Sequence, residues 1–309
     1  MSYLIDLVVR LTAGADGWPE TFRRRHSEYL LAAARDDGGF AGRQAGSNLY
    51  YTSFGLRALA LLGVLDGQAA ARAADFLRSR LDRELSGIEL YSLVSSAVLL
   101  EASCGLDVLA ERPTATLVAA IDRHRHADGG FAKGPGNPTS STYHTFLAVL
   151  CKQSLGVEPD RCGPIVELIG SRRRDDGGFV EIPQLRASGT NPTAAAVVLL
   201  SQLGRLDESV RDGAARFLAS MQTQEGGFRA NTAIPMADLL STLTAMAALA
   251  ELDGLALVDR QAAADYAGSL QRPDGGFRGG AWDDAVDVEY TFYGLSALAL
   301  LPGAIFPHQ

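Results

Sequence analysis

Residues 275–301 read GGFRGGAWDDAVDVEYTFYGLSALALL: a glycine pair, a wedge phenylalanine, a polar cluster, then an apolar run. The glycines suit a tight turn, because they reach positive φ without a steric penalty. The run after Thr291 has no polar face, and a helix of that kind must be surrounded by protein. The same plan recurs. GGF begins at Gly38, Gly129, Gly177, Gly226 and Gly275, so the last three intervals are 48, 49 and 49 residues. The first gap, 91 residues, holds two units if a degenerate copy lies near Ser86-Gly87-Ile88. Six repeats result, and a period in this range signals a repeat architecture.

Each repeat reads as outer helix, DGGF turn, loop, inner helix. The outer helices, such as 208–222 and 259–271, carry charge on one side. The inner ones, such as 193–203, 242–252 and 291–301, are apolar almost all round. From the Phe of GGF to an inner-helix Thr there are 14 residues in four repeats (131 to 145, 179 to 193, 228 to 242, 277 to 291) and 12 in the first. That Thr is expected to cap the helix or sit in its first turn, with Ser92 serving in the degenerate copy. An open stack needs polar terminal caps. The last inner helix is as apolar as the middle ones, so it needs the first repeat as its partner. The expectation is an all-α, closed (α/α)6 ring forming one domain over 1–309. A lead-in helix spans 1–18 and six repeats span 19–309.

Bulk properties narrow the function. The 309 residues carry a net charge of −8, with a pI near 5.2. That disfavours nucleic acid, which demands a basic surface. Three cysteines, Cys104, Cys151 and Cys162, show neither disulfide nor zinc spacing and fit a reducing, cytoplasmic setting. The N-terminal apolar run is broken by Asp6 and Arg10 and lacks a basic n-region, unlike a signal peptide. No run of about 18 uncharged apolar residues suggests a membrane span.

Register puts the residues just before each Thr on one rim: Tyr50, Tyr51, Tyr143, His144, Asn191, Asp238, Asp287, Glu289 and Tyr290. Capping explains the acids as well as function does, since carboxylates suit a helix N-terminus. A carboxyl in an apolar lumen has a raised pKa and can serve as an acid, which singles out Glu289. His144 is a candidate acid–base group or a satisfied polar residue at a helix start. Asn191 is a candidate donor to ligand.

These GGF repeats and apolar inner helices resemble the αα-toroid superfamily of protein prenyltransferase β subunits and of squalene and terpene cyclases. The length and layout are most like the β subunit of a protein geranylgeranyltransferase. The resemblance covers nearly the whole chain and implies a lumen for an isoprenoid chain. Tyr50, Tyr51, Phe54, Tyr143, Phe146, Tyr290, Phe292 and Tyr293 would suit such a wall. Prenyltransferase β subunits hold zinc with an Asp, a Cys two residues later and a His. Here Asp238 matches the Asp, but Leu240 and Tyr290 stand for the other two. Leu cannot bind zinc and neutral Tyr is a poor ligand, so no metal site is expected. Class II cyclases carry Asp-x-Asp-Asp-Thr, and Asp287-Val288-Glu289-Tyr290-Thr291 keeps a carboxyl at the middle, acidic position. The resemblance therefore implies zinc-independent isoprenoid processing with Glu289 as acid, Asp287 orienting it and Asp238 as a further catalytic carboxylate. Magnesium is compatible with a diphosphate substrate. A peripheral membrane contact, a helical α-subunit-like partner or a homo-oligomer are compatible with it too. The alternatives are a prenyltransferase with an altered metal site and a non-catalytic isoprenoid- or protein-binding module.

Overall fold

The computed structural model describes residues 3–65, 67–110, 112–158 and 162–301. A leading helix, α1 (Tyr3–Ala15), precedes six helical pairs. The pairs are α2 (Glu20–Ala33) with α3 (Leu49–Leu61), α4 (Gly67–Arg78) with α5 (Gly87–Cys104), and α6 (Thr114–Asp122) with α7 (Thr142–Ser154). Then come α8 (Cys162–Ser171) with α9 (Thr190–Gln202), α10 (Glu208–Ser220) with α11 (Leu239–Glu251), and α12 (Arg260–Ser269) with α13 (Val288–Ala299). The odd-numbered members are the inner helices. Each packs on the next, from α3 through α5, α7, α9 and α11 to α13, and α13 packs back on α3. The chain is an all-α (α/α)6 toroid.

The turns dictate closure. Gly38, Gly129, Gly177, Gly226 and Gly275 all have φ between 85° and 103°. Each also lies against the outer helix of the following repeat. A Cβ there would strike Arg72 O, Pro164 Cβ, Gly213 O or Ala262 O, and for Gly275 it would strike Arg25 O on α2. The sixth turn thus uses the first outer helix as the others use their successors. Any side chain at these positions would be strained by conformation and by contact.

The wedge is equally regular. Phe40, Phe131, Phe179, Phe228 and Phe277 are all buried, each contributing about 1.5–3 kcal/mol by leaving water. The inner helix opposite must be small. A Cβ on Gly55 would lie 2.6 Å from the Phe40 ring, and one on Gly294 would lie 2.2 Å from Phe277. By register, Ala148, Ala196 and Ala245 occupy that position in the other GGF repeats.

The repeat threonine lies one turn inside the helix, not at its cap. The N-caps are Asn48, Ser86, Ser141, Gly189, Asp238 and Asp287. Thr52, Thr145, Thr193, Thr242 and Thr291 sit four residues later. Each hydroxyl donates to the carbonyl of the cap residue and accepts from the wedge phenylalanine N–H, at 2.9–3.2 Å. This bond satisfies a buried donor that the hairpin would otherwise leave unpaired. In the degenerate repeat Leu90, not Ser92, holds that register, and Ser86 with Glu89 forms a capping box instead. The loops expected after three of the GGF turns are short antiparallel hairpins: β1 (Phe40–Ala41) with β2 (Ser47–Asn48), β3 (Phe228–Arg229) with β4 (Ala237–Asp238), and β5 (Phe277–Gly280) with β6 (Asp283–Asp287).

The lead-in helix proves to be a floor. It contacts α3, α7 and α13. A Cβ on its Gly14 would overlap the carbonyl of Ala299, at the end of α13 remote from the rim. Among the described residues α5 alone is long and apolar enough to cross a membrane. It is an inner helix, packed between α3 and α7.

Candidate functional site

The six inner helices surround a cavity of about 490 Å³, within the usual range for small-molecule sites. Its wall includes Tyr50, Phe54, Tyr91, Tyr143, Phe146, Phe292 and Tyr293, with Leu4, Leu7 and Leu11 of α1 beneath. Phe54 packs edge to face with two of its neighbours. Phe54 lies 4.9 Å from Tyr50 and 5.2 Å from Tyr293, centroid to centroid.

The expected site residues do not all reach the cavity. Tyr50, Tyr143, Asn191 and Tyr293 line the cavity. Asn191 Oδ1 accepts from Thr244 Oγ1 at 2.6 Å, which fixes the amide and turns its nitrogen into a spare donor. Glu289 stands just behind the wall. Its Oε1 accepts from Tyr50 at 2.6 Å and from Tyr293 at 2.9 Å. Burial pushes this carboxyl above the usual range; the two tyrosine bonds oppose that, and the charge of Asp287 adds to it.

Four others face elsewhere. Asp287 caps α13 by accepting from Tyr290 N at 2.8 Å, and its second oxygen takes Arg43 Nε at 2.9 Å. Arg43 also donates to Asp283 at 2.6 Å. Asp287 was expected to orient Glu289; Tyr50 and Tyr293 do that instead, because the cap and the ion pair use both Asp287 oxygens. Asp238 likewise caps α11, accepting from Ser241 N and Oγ at 2.7 and 2.8 Å, and burial raises its pKa. Tyr51 and Tyr290 fill space beneath the hairpins, where a Cβ on Gly42 or Gly279 would strike their rings. Arg43 sits 5.3 Å above Tyr290.

His144 is removed from the lumen. It borders a separate, water-sized void of about 20 Å³ shared with His124 and Cys151. Its Nδ1 pairs with Ser141 Oγ at 2.7 Å. Burial, helped by Lys133 and His124, lowers its pKa to about 4, so it is neutral at pH 7.

Three functional candidates were not picked out from sequence. Arg57 lines the cavity from the middle of α3, and Glu181 borders it from the loop before α9. His26, buried on α2, bonds the Gly275 carbonyl. Arg57 had a signal: it follows Tyr50 by seven residues and Phe54 by three, on one helical face. Glu181 and His26 had none, since no register ties them to the rim.

The chain belongs to the prenyltransferase alpha-alpha toroid domain family, whose model matches residues 9–78, 75–232 and 184–305. The sequence matches none of the curated proteins. Among solved structures it is similar to Candida albicans protein geranylgeranyltransferase-I complexed with GGPP, at 15% identity over 91% of each chain with a TM-score of 0.75. It is also similar to the type II terpene cyclase MstE from Scytonema, at 14% identity over 96% of this chain and 98% of that one, TM-score 0.63. An alpha-1,6-mannanase of Salegentibacter aligns at 14% identity over 92% and 99%, TM-score 0.64. The fold thus carries unrelated chemistries, and function must be argued from the site.

The zinc implied by the prenyltransferase relationship does not fit the residues present. Leu240 is part of the apolar wall, Tyr290 is packed under Arg43, and Asp238 is engaged by Ser241. Among the described residues no group of three His, Cys, Asp or Glu could hold a metal ion.

Proposed function

We propose that this protein binds an isoprenoid chain in its lumen and rearranges it by proton transfer from the Glu289–Tyr50–Tyr293 cluster, independently of zinc. The observation that carries the reading is a half-buried carboxyl bonded to two tyrosines whose rings form the cavity wall. A wall of aromatic and aliphatic groups suits hydrocarbon. Its few polar groups, Arg57, Glu181 and Asn191 among them, are outnumbered by aromatic and aliphatic ones, so a sugar would recover only part of the hydrogen bonding it has in water. Protonated Glu289 gives its proton to a tyrosine hydroxyl as that hydroxyl gives its own to an alkene carbon, so no free phenolate forms, and the alkene electron pair makes the new C–H bond. The rearranged carbocation loses a proton from a neighbouring carbon back through the tyrosine to the Glu289 carboxylate, and the freed C–H electron pair becomes the new C=C bond. The ring faces stabilise the developing cation. Asp287 acts by anchoring the first turn of α13. Conversion of an isoprenoid by the wild type that persists undiminished in Glu289→Gln would refute this mechanism.

The second reading is binding without chemistry. It is favoured by the position of Glu289 behind the tyrosines and by the cation of Arg57 inside the lumen, which opposes a carbocation nearby. Under it the ligand is recovered unchanged.

A further inference from the structure

Arg57 is a cation in the wall of a largely apolar cavity, which it shares with Glu181. Its guanidinium carbon lies 4.4 Å from the Phe54 ring centre and 4.6 Å from that of Phe292. Nε donates to Ser53 O, one turn back on its own helix, at 3.1 Å. Among the described residues no carboxylate forms an ion pair with it. Ring faces satisfy the face of a guanidinium, while its in-plane N–H groups seek an oxyanion, for which their fork geometry is suited. Half-buried in the wall, its charge is screened less than one on the open surface and attracts the opposite one. Tyr91 and Tyr143 share the wall, Tyr143 from the rim with 38% of its surface exposed, and the Arg57 charge lowers the pKa of both phenols against the upward push of their surroundings. Both hydroxyls are donors of the kind that would complete an oxyanion site. The guanidinium reaches back to Ser53 and Phe54, five and six residues beyond the cap Asn48, so it lies about 8 Å below the rim at the helical rise per residue.

We propose that Arg57, with the hydroxyls of Tyr91 and Tyr143, binds the anionic head of an amphiphile in mid-lumen. The ligand class is a hydrocarbon chain ending in a carboxylate or a phosphate. The rest of the chain then lies along the aromatic wall and reaches back to the mouth near Glu289. This deepens, and rests on, the reading of the lumen as an isoprenoid site, yet the two fail separately.

The test is calorimetric titration of the full chain with geranylgeranyl phosphate, geranylgeranoic acid and the neutral alcohol geranylgeraniol, plus palmitate as a straight-chain acid. The wild type should bind at least one of the two isoprenoid anions about tenfold or more tightly than the alcohol, as a charge-assisted bond requires. Phosphate over carboxylate, or the reverse, identifies the head. Arg57→Met should bring the favoured anion down to the affinity of the alcohol and leave the alcohol unchanged, with Arg57→Lys intermediate. If Arg57→Met does not fold, the wild-type series and Arg57→Lys decide. Equal affinity for anion and alcohol, an undiminished anion affinity in either variant, or no binding of any probe would overturn the proposal. Palmitate bound in an Arg57-dependent way, with no isoprenoid bound, would keep the anion site and refute the isoprenoid reading.

Discussion

His26, on the first outer helix, donates from Nδ1 to the carbonyl of Gly275, in the turn of the sixth repeat. Its ring also stacks on the wedge Phe277 at 5.2 Å and lies 4.2 Å from Phe22. A fully buried imidazole therefore ties the end of the chain to its beginning. His26→Ala would leave a buried carbonyl unpaired and a cavity beside Phe277. The expected cost is about 2–4 kcal/mol, seen as a lower denaturant midpoint. An unchanged midpoint would show that the seam holds without it.

The same histidine makes stability depend on pH. Burial lowers the pKa of His26 to about 4, and His144 is lowered to about 4 as well. The unfolded chain binds these protons near pH 6.5, before the folded one does. Their contribution is thus complete above 6.5 and is lost as pH falls towards 4, at up to about 1.4 kcal/mol per pH unit for each group. Glu289, Glu181 and Asp238, all raised by burial, act in the opposite sense. Thermal melts at pH 7 and pH 5 should show a larger loss for the wild type than for His26→Gln.

The threonine bridge predicts a repeat-independent effect. Thr145→Val, Thr193→Val and Thr242→Val keep the shape but remove the acceptor for the wedge N–H. Each should lower stability by about 1–3 kcal/mol, because a buried donor is left unpaired. Equilibrium unfolding of the three variants checks it, and a neutral result in all three would contradict the role.

The tyrosine bonds hold down the pKa of Glu289. Tyr50→Phe or Tyr293→Phe removes one bond to the carboxylate and raises that pKa further. If one tyrosine suffices to relay the proton, the alkaline limb of the rate profile should move to higher pH in each single variant. A shift to lower pH would mean that the acid is another group.

Much of the fold was legible because it repeats. Five GGF turns, fixed spacing to a threonine and an apolar last helix led to a closed ring. The site was less legible, since register gives height along the ring but not direction round a helix. Tyr50 faces the lumen while its neighbour Tyr51 packs under Gly42, and Tyr293 faces it while Tyr290 lies under Arg43. The capping acids Asp238 and Asp287 follow the same rule, meeting backbone N–H groups rather than the cavity. Sequence alone left Thr52 and its equivalents as either a cap or a first-turn residue, because the hairpin partner, the wedge N–H, is distant in sequence.

The most direct measurement is chromatography with mass spectrometry of prenyl diphosphates and squalene incubated with the wild type and with Glu289→Gln. The account predicts a product isomeric with its substrate from the wild type and none from the variant, with the variant still binding the chain. Substrates returned unchanged by the wild type, or equal conversion by both proteins, would contradict it.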